Sequence, residues 1–71
     1  MTNIQRLAQD GNRNHRLFAA TIVDLMNSQG FYSRLYRAVN ELNDEGYNNL
    51  FSQLNEQNFK DSLDVIFWLE C

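Results

Sequence analysis

From Ile4 to Leu25, apolar or small residues return at alternating steps of four and three: Ile4, Ala8, Gly11, His15, Phe18, Ile22 and Leu25, with Leu7 and Met26 flanking them. A half-buried strand would alternate every second residue, so this period specifies an α-helix with one face turned to a core. Thr2-Asn3-Ile4-Gln5 has the spacing of a capping box, and Gly30 stands where a C-cap glycine belongs. The seam keeps its phase across Gly11-Asn12, which predicts one unbroken helix over residues 3–28, about 39 Å long, the alternative being a kink or a short separate helix over residues 3–10. A glycine inside it costs about 1 kcal/mol against alanine, but on the seam it would let another helix approach closely.

Three further helices follow from the same reasoning. The second spans Phe31 to Leu42, with Phe31, Leu35, Ala38, Val39 and Leu42 as its apolar face and Tyr32 and Tyr36 at the margin. Arg34, Arg37, Asn40 and Glu41 point the other way. The third starts near Asn43-Asp44, both good N-caps, and buries Tyr47, Leu50, Phe51 and Leu54. The fourth starts after Asn58, with Phe59, Leu63, Ile66 and Phe67 on one side and Val65, Trp68 and Leu69 on the opposite side. A helix apolar nearly all round is either central in a bundle or covered by a partner. Proline is absent, which agrees with helices free of interior breaks. The expected fold is all-α: one domain over residues 1–71, a small bundle of about four helices led by a long N-terminal one.

A chain of 71 residues buries only about 60% of the surface it exposes when unfolded. Small scaffolds often compensate with disulfides or metals, yet the one cysteine, Cys71, has no intrachain partner. His15 and Cys71 are the only soft ligands, against the four that a structural zinc takes, so no metal or cofactor is expected. No run approaches the roughly 20 apolar residues of a membrane span, and the start lacks the pattern of a signal peptide. A lone thiol suits a reducing compartment, so the expected location is a cytoplasm.

The chemistry-bearing residues are few. His15 lies on the apolar seam and reads as a packed, hydrogen-bonded side chain, with no cysteine nucleophile placed to pair with it. Nothing positive surrounds Cys71 in sequence to lower its pKa. Asp61 and Asp64 share a helix side and read as capping residues rather than an acid–base pair. The three glycines are isolated, so no phosphate loop is present. The expectation is a protein that is not an enzyme.

Binding is the alternative, and the charge distribution frames it. Residues 1–37 carry +3 and residues 38–71 carry −6. Arg6, Arg13, Arg16, Arg34 and Arg37, interleaved with Tyr32 and Tyr36, suit a nucleic-acid surface; the acidic half opposes it. The Val65, Trp68 and Leu69 side of the last helix suits a protein interface, because tryptophan is a favoured anchor, unless a bundle of this size buries it between its own helices. Glu41, Asp44 and Glu45, with Glu56, form a competing acidic protein-binding surface. Leu17, on the polar face of the first helix beside Ala20, could seed a small patch. A first helix near 39 Å would overhang helices of roughly 17–20 Å. That overhang exposes Ile4, Leu7, Ala8 and Gly11 for self-association into a homodimer.

The segments Gln29-Gly30-Phe31-Tyr32-Ser33-Arg34-Leu35-Tyr36 and Asn58-Phe59-Lys60-Asp61-Ser62-Leu63-Asp64-Val65-Ile66 give the chain a short, Asn-rich, proline-free helical texture. It resembles small accessory proteins of phages and mobile elements of Gram-positive bacteria. The resemblance implies stoichiometric binding of a host protein, as inhibitor or adaptor, including an anti-defence role of the anti-CRISPR kind. It assigns no functional residue.

Overall fold

Polar side chains, not the apolar seam, decide where the first helix ends. The computed structural model describes residues 1–70, so the readings made of Cys71 lie outside the described residues. It contains α1 (Asn3–Ala8), α2 (Arg13–Ser28), a 3-10 turn (Gly30–Tyr32), α3 (Ser33–Asn40), α4 (Asp44–Asn55) and α5 (Ser62–Glu70), with no strand among the described residues. The capping box at Thr2 and Gln5 forms as the spacing requires. Gln9 then closes α1 by donating its N–H to the Arg6 and Leu7 carbonyls. Asp10 Oδ2 accepts the Asn12 N–H at 2.9 Å, and Asn12 Oδ1 accepts the Asn14 N–H at 2.8 Å to start α2. The single helix over residues 3–28 is therefore corrected to two. Side-chain acceptors at residues 10 and 12 offer the backbone a better arrangement than continuing through glycine.

Folding back puts α1 against α2 and α3. Ile4 and Leu7 are buried among Phe18, Ile22 and Val39, so they are not available as a dimer seam. Ala8 is exposed, and a methyl group on Gly11 would meet nothing within 4 Å, so no helix approaches there. The self-association surface expected of Ile4, Leu7, Ala8 and Gly11 is overturned, because the chain covers its own apolar end.

Helix α2 is the hub and packs against every other helix. Phe18, Ala19 and Ile22 from α2 meet Tyr47 and Leu54 of α4, Phe59 of the following connection, and Val65 of α5. Leu17, expected on the polar face, is half-buried against this core. Gly30 does not adopt the left-handed conformation of a C-cap glycine; α2 ends on an extended Gln29 and Gly30 opens the 3-10 turn. Phe31 is consequently 71% exposed, leaning on Tyr32 with ring centroids 4.3 Å apart. The apolar face of α3 begins only at Leu35, and Ala38 is exposed.

Asparagines clip the helices together. Asn3 Nδ2 donates to the Val39 and Leu42 carbonyls at 2.8 and 3.0 Å, while Asn40 Oδ1 accepts the Ile4 N–H at 2.9 Å. The start of α1 and the end of α3 thus cap each other. Asn14, buried on α2, donates to the Leu54 carbonyl at 3.1 Å and to the Gln57 carbonyl, and accepts the Phe59 N–H at 3.3 Å. Asn12 Nδ2 reaches Asn55 Oδ1 at 2.7 Å. No buried side-chain polar atom among the described residues lacks a partner.

Helix α5 corrects the expected orientation of its faces. It starts at Ser62 rather than after Asn58, and Phe59 is buried in the connection before it. Val65 is fully buried, and Trp68 and Leu69 are half-buried against the core. Trp68 meets Phe18 and Phe59 edge-on, at 6.1 and 5.9 Å between centroids, an arrangement that adds to apolar burial. The Val65–Trp68–Leu69 side is therefore core, not a protein-binding face. Leu63 and Phe67 are exposed instead, at 59% and 61%.

Candidate functional site

His15 is the residue with the most chemical potential, and its surroundings define what it can do. The ring is fully buried, 3.9 Å from the Phe51 ring between centroids. Its Nδ1 lies 2.7 Å from Asp10 Oδ2 and its Nε2 lies 3.1 Å from the Phe51 carbonyl. A carbonyl only accepts, so Nε2 carries a hydrogen and donates. An ionised Asp10 is likewise an acceptor, so each ring nitrogen is set against a protein oxygen. General-base work needs a ring nitrogen lone pair within reach of a substrate proton, whereas both nitrogens here face protein acceptors. The hydrogen bond from His15 holds the Asp10 carboxyl below its usual range, helped by the Asn12 N–H and by the charges of His15 and Arg16, against a partial burial that opposes it. The Asp–His couple is a latch between the α1–α2 turn and α4.

The other acidic pair is also structural. Asp61 Oδ1 accepts the Leu63 and Asp64 N–H groups at 3.1 and 3.3 Å, capping α5, and Asp64 Oδ2 accepts the Lys60 N–H at 2.8 Å. Among the described residues no group of three or more His, Cys, Asp or Glu is placed to hold a metal ion.

The arginines expected to face nucleic acid are divided between two tasks. Arg13 donates to the Phe59 and Lys60 carbonyls, fastening the α4–α5 connection. The Arg6 guanidinium lies 4.0 Å over the Tyr47 ring. Arg16, Arg34 and Arg37 are exposed, Tyr36 is half-buried against the core, and Tyr32 is half-buried beside Phe31. The structure does not present the five arginines and two tyrosines as one free surface.

Two surfaces remain. Between the last turns of α2 and the outer face of α3 lies a groove of about 430 Å³, lined by Met26, Ser33, Tyr36, Arg37, Asn40 and Glu41. Met26 and the Tyr36 ring are the large apolar surfaces among its lining. Glu41 continues into the α3–α4 corner, where Asp44 and Glu45 are exposed in the first turn of α4. There they also meet the positive end of the α4 dipole. The second surface is the exposed Leu63–Phe67 face of α5. Sequence reasoning reached the acids but missed the groove, which arises from the packing of α2 against α3. The start of α5 was within reach, since Asp61 followed by Ser62 reads as a cap, but which of its apolar sides faces out depends on the packing against α2. Comparison with protein-family models, with curated proteins and with solved structures finds no match.

Proposed function

We propose that this chain is a non-enzymatic protein-binding module, and that the α3–α4 corner with its adjoining groove is the binding face. The observation that carries the reading is the contrast in how side chains are used. His15, Asp10, Asp61, Asp64 and Arg13 are all engaged by the fold, while Glu41, Asp44 and Glu45 stand exposed, Glu41 on the lining of a cavity that Met26 and Tyr36 also line. A basic protein segment offering one large apolar side chain fits that chemistry: the side chain packs against Met26 and Tyr36, and the acids hold the charge. Stoichiometric inhibition or adaptor function on a host protein, as the resemblance to phage and mobile-element accessory proteins implies, is the form this binding takes. Contact with nucleic acid is the weaker reading, because two of the five arginines are occupied within the fold.

Affinity capture from a bacterial lysate with the wild-type chain and with a Glu41→Arg, Glu45→Arg double variant tests the assignment, beside a DNA duplex titration at low and high salt. The expected result is a protein partner recovered at fixed stoichiometry by the wild type and lost by the variant. DNA binding that weakens steeply with salt, together with capture indifferent to the reversal, refutes it.

A further inference from the structure

The glycines of the chain follow different residues: Gly11 follows Asp10, Gly30 follows Gln29 and Gly46 follows Glu45. Asp10-Gly11 is therefore the one place where an aspartate or asparagine precedes glycine. A residue without a Cβ leaves its backbone nitrogen unhindered for close approach to a neighbouring side chain. Gly11 is exposed, and its N–H donates to no backbone or side-chain group among the described residues. Nothing lies within 4 Å of where a Cβ would stand, so the turn is open on that side. One residue back is an electrophile, the part-exposed Asp10 carboxyl. We propose that Asp10-Gly11 is a modification site at which the chain rearranges itself to isoaspartate, and that the hydrogen bonds to Asp10 restrain the reaction while the α1–α2 turn is closed. The Gly11 nitrogen attacks Asp10 Cγ and gives up its proton, and one carboxyl oxygen leaves as water, forming a five-membered succinimide. Water then opens the ring. Attack at Cγ restores aspartate; attack at the former main-chain carbonyl leaves the chain running through Cβ and Cγ, with a free α-carboxylate. One water leaves and one enters, so the mass is unchanged and nothing is oxidised.

The fold opposes the first step. Asp10 Oδ2 accepts the Asn12 N–H at 2.9 Å and is hydrogen-bonded to His15 Nδ1 at 2.7 Å. Both bonds favour the carboxylate, a poorer electrophile than the acid, and both restrain the side-chain rotations that ring closure needs. Cyclisation therefore waits on local opening of the turn. Once made, the change is hard for the fold to absorb. The added main-chain carbon and the relocated carboxylate alter the spacing from residue 10 to Asn12 and His15, so the latch is not rebuilt. Helix α1 is then held through Asn3 and Asn40 at its α3 contacts. The site is separate from the α3–α4 corner and does not depend on what that corner binds.

Ageing the chain at neutral pH and physiological temperature, both folded and in urea, measures it. Trypsin cuts after Arg6 and Arg13 and isolates residues 7–13; chromatography with electron-transfer fragmentation then separates isoaspartate from aspartate at residue 10. In urea, isoaspartate at residue 10 is expected to exceed that at Asp61, which precedes serine. In the folded chain it is expected to form at least about tenfold more slowly, the effect of two hydrogen bonds of ordinary strength. His15→Phe keeps an aromatic ring against Phe51 but offers Asp10 no partner, and is expected to speed the folded-state reaction about fivefold. Gly11→Ala, which the turn accommodates, is expected to lose most of the reaction in both states. The isolated isoaspartate form is expected to unfold at lower urea than the unaged chain. Equal rates folded and in urea, no excess over Asp61 in urea, or a folded His15→Phe no faster than wild type overturns the proposal. Should His15→Phe fail to fold, the comparison of folded with urea-unfolded wild type decides alone.

Discussion

Replacing Asn14 by alanine removes the one side chain that fastens α2 to both the end of α4 and the connection that follows it. Three bonds are lost: those to the Leu54 and Gln57 carbonyls and that from the Phe59 N–H. The Leu54 carbonyl keeps a partner in the Gln57 N–H at 3.1 Å, so two groups are left short, the Gln57 carbonyl and the buried Phe59 N–H. At about 1–3 kcal/mol for each unsatisfied group, with some water reaching Gln57, the expected loss is about 2–4 kcal/mol. A domain of this length holds roughly 4–10 kcal/mol in all, so the variant gives up about a fifth of its stability or more. Urea denaturation followed by Trp68 fluorescence reads it directly, because Trp68 sits edge-on to Phe18 and Phe59 in the region the clip organises. With a slope near 1 kcal/mol per M, the midpoint falls by about 2 M or more at unchanged slope. Asn14→Asp, which keeps the acceptor for Phe59 but turns a carboxylate towards two carbonyls, is expected to be at least as damaging at neutral pH. Asn49→Ala, on the exposed side of α4, stays within about 0.5 kcal/mol of wild type. If Asn14→Ala and Asn49→Ala shift the midpoint equally, the clip is not what holds α4 and α5 to α2.

Leu7→Ala is expected to cost about 2–5 kcal/mol by thermal or urea unfolding, as for a fully buried leucine; a cost below about 0.5 kcal/mol would mean that α1 is not part of the core. Gly11→Ala is expected to stabilise by about 0.4–1 kcal/mol and raise the melting temperature by a few degrees, because its backbone needs no left-handed conformation and a methyl group meets nothing there. A lower melting temperature refutes that reasoning. Asp10 has its folded-state pKa depressed from 3.8, so its contribution is fully present above about pH 4 and is lost as pH falls through the depressed value. An acid-unfolding midpoint that Asp10→Asn leaves in place, with no loss of stability at pH 7, would show that the latch to His15 and Asn12 carries no weight.

The helical class and most of the core were legible in the apolar period, and the misreadings share one cause. Phase alone joined Ile4 and Leu7 to Phe18 and Ile22, although two separate helices whose apolar faces meet the same core show the same coincidence. The Asp10-Gly11-Asn12 run carried the contrary signal, since aspartate and asparagine offer side-chain acceptors to nearby N–H groups. The same oversight misplaces the start of α5: Phe59 lies outside the helix, because Asp61 caps a helix that begins after it. Cap chemistry thus outweighed periodicity at both boundaries. The asparagine-rich composition was visible, but which asparagine reaches which carbonyl depends on contacts 36 to 45 residues apart, which a linear pattern does not encode. The acids at the α3–α4 corner were legible because exposure at a helix start is local; the groove beside them was not, because it exists only between two packed helices.

The stretch joining α4 to α5 is short of regular structure yet anchored through the backbone of three of its residues, by Asn14 at Gln57 and Phe59 and by Arg13 at Phe59 and Lys60. Such a segment behaves as a splint rather than a hinge. A protease that nicks irregular chain elsewhere would find little slack here. The angle at which the last helix leaves the body is set by α2, so substitutions in the first third of the chain can re-aim a face formed by residues 62–70.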